Sequence, residues 1–266
     1  MYSFEYHRPD SVQAATALRT QGDDAIYLAG GQTLIPTLKQ RLASPSDVID
    51  LARVAGLRGI QVANGRVAIG AMTTHGEVAS SAEVKRAIPA LAFLAGEIGD
   101  AQVRNRGTIG GSVANSDPAA DYPAAVIGLG ATIQTHRRAI AAEAYFKDLF
   151  ETALEAGELI RAIEFPIPKR AAYRKFPNPA SRYAVVGVFV ADFDGKIRVG
   201  VTGAGPCAFR ATELEAALAR KLDPASVDSV EIEYDRFNSD MHASAEYRAN
   251  LVRVMAKRAV ADLLGR

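Results

Sequence analysis

The sequence predicts an α+β protein in two parts, and three observations carry this. Of 266 residues, 48 % are apolar and 23 % charged, the ordinary balance of a globular chain. At ~150 residues per domain the length suits roughly two domains, enough to bury a core without disulfide or metal staples. Strand-length apolar runs alternate with helical patterns in the N-terminal part, whereas the C-terminal part reads as a hairpin followed by helices.

Residues 11–21 read as a helix. Ser11 is a candidate N-cap, Val12, Ala15 and Leu18 share a face, and Gly22 lies beyond the end. AIYLA at 25–29 has strand length and stops at Gly30-Gly31. Residues 33–42 read as a helix with Pro36 in its first turn, where the missing N–H is harmless. A second short strand covers 47–50. The runs 59–63 and 66–70 flank Asn64-Gly65, a strong two-residue hairpin signal. The Ala-rich stretch 81–96 reads as a helix, 123–130 as a short apolar helix, and 131–135 and 159–165 as strands, the latter closed by Pro166 and Pro168.

Residues 169–182 contain Pro177, Pro179 and five cationic residues and read as a connection, with the domain boundary near its start. The expected division is 1–170, split into subdomains of about 1–56 and 57–170, and then 171–266. In the second part 184–192 and 196–202 pair across Asp194-Gly195. Helices follow at 212–222 and 245–264, the last with a core stripe of Leu251, Val254 and Ala259. No internal repeat or low-complexity run is present.

Composition excludes several classes. The formal net charge is +1, so nothing asks for nucleic acid or another polyanion. Cys207 is the single cysteine, so a disulfide framework and a cysteine-held zinc or iron–sulfur site are excluded, and no metal site is expected. MYSFEYHRPD lacks a signal-peptide core, and no uncharged apolar stretch is long enough to span a membrane. A soluble cytoplasmic protein is expected.

Two glycine-rich elements carry chemistry. The first is Ala29-Gly30-Gly31-Gln32-Thr33-Leu34, between a strand and a helix. Adjacent glycines turn the chain sharply and leave backbone N–H groups unshielded, which suits a phosphate or pyrophosphate, although a plain tight turn has the same pattern. The second runs from Arg104 to Pro123 and holds Gly107, Gly110 and Gly111, hydroxyl and amide side chains, and Asp117 and Asp121. Thr108, Ser112 and Asn115 can donate hydrogen bonds, and Asp121 can accept them from a ribose or an amino group. The alternative is an irregular crossover held by its own side chains. Two such elements in one domain favour a nucleotide cofactor.

Neither element is a dinucleotide fingerprint or a Walker motif, and the lysine of the latter is absent, so triphosphate hydrolysis has no support. Gly203-Ala204-Gly205 mimics the start of a fingerprint, but Pro206 removes a donor where one is needed, which leaves a turn. His7, His75, His136 and His242 show no ligand spacing, and structural or surface roles suit His7 and His75. Cys207 has no visible base partner and reads as inert. Arg104 and Arg106 suit a phosphate, a partner or plain solvent equally.

AGGQTL at 29–34 and TIGGS at 108–112, in this order and about eighty residues apart, resemble the FAD-binding medium subunit of molybdenum hydroxylases, the carbon monoxide dehydrogenase and xanthine dehydrogenase family. YHRP at 6–9, IGAMTT at 69–74, the run from Gln102, DPAADYP at 117–123, LIRAIEFPIP at 159–168 and the C-terminal 245–260 support the resemblance, which covers essentially the whole chain. Gln32 and Thr33 stand where the family often has His or Asn and Ser, and Ser112 where it often has Asn or Asp. These are mild departures. The four-cysteine insertion of members that reduce 4-hydroxybenzoyl-CoA is missing.

The resemblance implies an FAD domain of the vanillyl-alcohol-oxidase and p-cresol-methylhydroxylase (PCMH) type, made of two α/β subdomains, followed by a C-terminal domain of the CO dehydrogenase flavoprotein type. It implies cofactor contacts from Ala29, Gly30, Gly31, Gln32, Thr33, Leu34 and Ile35, and from Thr108, Ile109, Gly110, Gly111, Ser112, Asn115 and Asp117. Ile98, Asp121 and Ile160 fall on the adenosine side, and Lys175 and Tyr183 near the flavin ring. It further implies a small partner with two [2Fe–2S] clusters, a large molybdopterin partner and a dimer of heterotrimers. Electrons would pass from the clusters to this FAD and on to NAD, a quinone or oxygen, with no catalytic side chain needed here. Two rival readings are a stand-alone flavin oxidoreductase of the same fold and a non-catalytic nucleotide-binding assembly module.

Overall fold

The computed structural model describes residues 1–22 and 24–266. The chain opens with β1 (Glu5–His7), α1 (Val12–Gln21), β2 (Ala25–Leu28), α2 (Leu34–Lys39) and β3 (Asp47–Asp50). The strands form a parallel sheet in the order β1-β3-β2. Ser11 caps α1 by accepting from the Ala14 N–H. The helix expected over 33–42 is shorter, because the backbone turns left-handed at Arg41 (φ +59°). Ala15, Ala25, Ile49 and Leu57 bury the inner face of this layer, which Leu159 also reaches.

The second layer begins with β4 (Ile60–Ala63) and β5 (Arg66–Gly70), an antiparallel hairpin. Asn64 and Gly65 both take positive φ, as the tight turn requires. Six helices follow: α3 (His75–Ser80), α4 (Ala82–Ala87), α5 (Pro89–Glu97), α6 (Ala101–Arg106), α7 (Ile109–Asn115) and α8 (Tyr122–Leu129). Then come β6 (Thr132–Thr135), β7 (Ala139–Ala141), α9 (Ala142–Tyr145), the ribbon β8 (Phe146–Asp148) and β9 (Glu151–Thr152), and β10 (Ile160–Pro166). An antiparallel sheet in the order β4-β5-β10-β6-β7 carries the helices.

Two expectations are corrected in this layer. The helix read over 81–96 is two helices, because Pro89 forces Ile88 out of the helical region (φ −141°, ψ 76°). The stretch from 104, to which the sequence assigns no helix and for which an irregular crossover is the alternative reading, contains the end of α6 and all of α7. Their caps are Asp100, which accepts from Val103 N, and Thr108, which accepts from Gly111 N.

The C-terminal part consists of β11 (Arg170–Pro177), β12 (Ala184–Phe193), β13 (Lys196–Thr202), β14 (Phe209–Arg210), α10 (Thr212–Arg220) and α11 (Ala245–Leu263), with the strands in that order in one antiparallel sheet. The segment read as a connection is thus largely strand β11. It is an edge strand, where proline is tolerated. Pro177 is its last residue, at a register shift, and Pro179 lies beyond it. β12 is buried almost throughout because α8 packs on one face and α11 on the other. The approach of α8 is close: a Cβ on Gly200 would stand 2.1 Å from the Ala124 carbonyl oxygen and 2.5 Å from Gly128 N. Arg198 reinforces the contact from β13, donating to Ile127 O at 2.8 Å and pairing with Glu143. Among the described residues no helix is long and apolar enough to cross a membrane.

Candidate functional site

A cleft of about 730 Å³ runs between the first two layers and reaches the loop between β11 and β12 at 181–183. Both glycine-rich elements line it. They also touch each other: a Cβ on Gly30 would lie 2.3 Å from Arg106 O and 2.7 Å from the Gly107 α-carbon. Gly31 takes a left-handed φ of +73°, which only glycine adopts without strain.

The two elements differ in what they offer a ligand. At 30–33 no acceptor among the described residues takes the backbone N–H of Gly30, Gly31, Gln32 or Thr33, and the Thr33 side chain makes no cap bond. This is a row of open donors. At 109–112 the N–H groups are already used. Ile109 donates to Thr73 O, Gly110 to Ala71 O, Gly111 to Thr108 Oγ1 and Ser112 to Thr108 O. The second element therefore presents side chains, Ser112 and Asn115, from one face of α7. Its glycines serve packing: a Cβ on Gly110 would lie 2.5 Å from the Ala71 Cβ.

All but three of the residues expected at a cofactor line the cleft. The exceptions are Ile35, whose side chain folds against Gly31, Ile109, which is fully buried in the core, and Lys175. The Lys175 ammonium sits behind the wall, 2.9 Å from Asp121 Oδ1, and donates at 3.0 Å to Glu97 O and to Arg182 O. These bonds gather Ile98, Asp121, Lys175 and Tyr183 at one end of the cleft. Ile98 and Asp121 on one side of an extended cofactor, with Lys175 and Tyr183 at its other side, is an arrangement this geometry does not allow.

Several lining residues carry no local sequence signal. Arg19, Tyr27 and the loop 154–159 form the end away from Tyr183, with the Tyr27 hydroxyl donating to Gly157 O at 3.1 Å. Burial pushes the Tyr27 phenol up to about 12, so it stays a neutral donor. His75 is buried in the wall beside Gly107, with its ring 5.3 Å from that of Tyr122. Burial, with help from nearby Arg104, lowers its imidazole to about 4, so it is neutral near pH 7. His7 instead ties β1 to β3 through Asp47 at 2.6 Å. Burial and nearby Asp148 raise the Cys207 thiol, which disfavours the nucleophilic thiolate.

Burial also raises the Asp117 and Asp121 carboxyls from their ordinary values, with Lys175 and the Tyr173 hydroxyl pulling Asp121 back. Such a cleft suits an elongated ligand. The open N–H row meets anionic oxygens, and apolar walls at both ends receive flat groups.

Comparison with known proteins agrees with this reading. The family described as FAD binding domain in molybdopterin dehydrogenase matches residues 2–168, and the CO dehydrogenase flavoprotein C-terminal domain matches residues 171–263. The chain is 36 % identical to the carbon monoxide dehydrogenase medium chain of Afipia carboxidovorans over 275 residues, covering 97 % of this chain and 96 % of that one. It is 34 % identical to the alpha subunit of the 6-hydroxypseudooxynicotine dehydrogenase complex of Paenarthrobacter nicotinovorans, covering 99 % and 95 %. A chain in the crystal structure of the cyanide-inactivated Cu,Mo-CO dehydrogenase superposes with a TM-score of 0.89 at 34 % identity, covering 100 % of this chain and 99 % of that one.

Proposed function

The chain belongs to the FAD-binding medium subunits of the molybdenum hydroxylases, the carbon monoxide and xanthine dehydrogenase type, and from that premise we propose that it is the electron-transfer subunit of a heterotrimer. Its partners are a small chain with two [2Fe–2S] clusters and a large molybdopterin chain, assembled as a dimer of heterotrimers. The observation that carries the reading is the row of open N–H groups at 30–33, lining the same cleft as Ser112 and Asn115. Such a row suits the anionic oxygens of a pyrophosphate, and a cleft of about 730 Å³ is the size of a cofactor site.

FAD, when bound, takes electrons singly and gives them up in pairs, and the protein's task is to hold and tune it. The N–H row and the Ser112 and Asn115 side chains hold the pyrophosphate. Tyr27 and the 154–159 loop wall the adenosine end, and Ile98, Asp121 and Tyr183 wall the ring end. The ring end is where the loop between β11 and β12 reaches the cleft, so both halves of the chain shape it. Electrons arrive from the small chain and leave to NAD, a quinone or oxygen.

The substrate is set on the large chain. Relatives named for carbon monoxide and for 6-hydroxypseudooxynicotine are 36 % and 34 % identical to this one, so the chain's similarity does not follow the substrate. The test is a tagged pull-down from the native source, analysed for companion chains, flavin, iron and molybdenum. Two companions with all three confirm the heterotrimer. A chain that purifies alone with FAD supports a stand-alone flavin oxidoreductase, and a lone colourless chain that takes up no added FAD overturns the cofactor assignment.

A further inference from the structure

We propose that Lys175 is a positioning residue that never touches the cofactor: it assembles the ring end of the cleft and sets the charge there through Asp121. The inference rests on the FAD reading above. An ammonium has three N–H donors and no acceptor. Those of Lys175 meet three oxygens on three separate segments: Asp121 Oδ1 at the start of α8, Glu97 O at the end of α5, and Arg182 O in the loop before β12. Its side chain is only 4 % exposed, so it has neither a donor left nor a path to a ligand.

The other half of the device is Asp121. Its Oδ1 takes both the Lys175 ammonium at 2.9 Å and the Tyr173 hydroxyl at 2.6 Å. Lys175 and Tyr173 stand two apart on β11, on one face of the strand. Room for the tyrosine comes from Gly187 opposite Lys175, where a Cβ would lie 2.4 Å from the Tyr173 oxygen. With Oδ1 doubly occupied, Oδ2 has no partner among the described residues, is not sealed from solvent, and belongs to a residue that lines the cleft. The wall therefore offers the cofactor one acceptor oxygen, which takes an N–H or O–H and repels a carbonyl. Lys175 also pins the loop that carries Tyr183, since Arg182 O is one of its acceptors and Asn178 N donates to Tyr183 O in the same loop.

The experiment uses the full chain in the assembly in which it purifies. Wild type is compared with Lys175→Met, Asp121→Asn and the double variant for the dissociation constant and midpoint potential of FAD. Measured at alkaline pH, where the Asp121 carboxyl stays ionised without its ammonium, Lys175→Met leaves an uncompensated carboxylate, so the flavin becomes harder to reduce and its potential falls. Asp121→Asn leaves an uncompensated ammonium, so the potential rises. The double variant returns toward wild type, because the two charges form one unit. Affinity falls about tenfold or more in Lys175→Met, the loss expected when a buried hydrogen-bonded group is left without its partner. A purely structural lysine would weaken binding without opposite shifts in potential. If Lys175→Met retains no flavin, the Asp121→Asn arm decides alone. Unchanged or same-signed shifts overturn the proposal, whereas a wild-type assembly without flavin overturns the FAD reading instead.

Discussion

Gly30 packs against the Arg106 carbonyl so closely that a Cβ on Gly30 would stand 2.3 Å from that oxygen. This contact joins the strand-to-helix turn of the first layer, which carries the open N–H row, to the α6–α7 turn of the second. Gly30→Ala therefore forces the two elements apart. The expected outcome is loss of FAD with a lowered melting temperature, read by flavin absorbance after gel filtration and by thermal unfolding. An FAD content equal to wild type would show that the approach is dispensable.

Tyr183 is 47 % exposed in the cleft wall, at the end proposed for the flavin ring, and its hydroxyl has no partner among the described residues. The ring, not the oxygen, is thus what it contributes. Tyr183→Phe is expected to bind FAD as wild type does. Tyr183→Ala is expected to weaken binding and blur the vibronic structure of the flavin absorption band by admitting water. Equal losses in both variants would assign the role to the hydroxyl.

Glu158 orders the loop at the opposite end. Burial pushes its carboxyl up, but hydrogen bonds from Arg138, Glu155 N and Thr135 outweigh burial and bring it from its ordinary 4.5 to about 2. A lowered folded-state value contributes stability that is complete above the unfolded value and fades as pH falls from 4.5 toward 2. Glu158→Gln is expected to lose about 1–3 kcal/mol at neutral pH, the cost of disrupting such a buried network. Across the acid window it is expected to lose less further stability than wild type. Urea unfolding at a series of pH values measures both, and parallel curves would refute the assignment.

Gly200 and Gly96 make a matched pair. A Cβ on Gly200 meets the α8 backbone at 2.1 Å, whereas one on Gly96, inside α5, meets nothing nearer than the Ala79 Cβ at 4.0 Å. Gly200→Ala is expected to cost about 1–3 kcal/mol or more by overpacking, since backbone cannot swing aside. Gly96→Ala is expected to gain about 0.5–1 kcal/mol by reducing helix entropy loss. Denaturation midpoints at constant slope read both effects.

Much of this protein is legible along the chain. The Asn64-Gly65 hairpin, the Ser11 cap and the strand pair across Asp194-Gly195 depend on neighbours in sequence, and the structure has them at those places. AGGQTL and TIGGS, in order, mark the family and hence the cofactor. Local patterns misled where tertiary context overrode them. Pro177 and Pro179 signalled a connection, yet β11 is a strand because β12 supplies its hydrogen bonds and the prolines lie at or beyond its end. The glycines near 110 suggest close backbone approach to a ligand, with an irregular crossover as the alternative, yet Thr108 caps a helix there and Ala71 needs the room.

What the sequence by itself determined is the fold class, the family and the two glycine-rich elements that line the cleft, because each is written in contiguous residues with a local physical requirement. What only the tertiary structure decided is how the donors are shared. The N–H groups of 109–112 look as available in sequence as those of 30–33, but Thr73, Ala71 and Thr108 have already taken them. Lys175 looks like a cofactor ligand, but segments 54 and 78 positions away, and a third 7 positions away, use all its donors. A hydrogen-bonding group can be spent only once, and which partner reaches it is settled by folding.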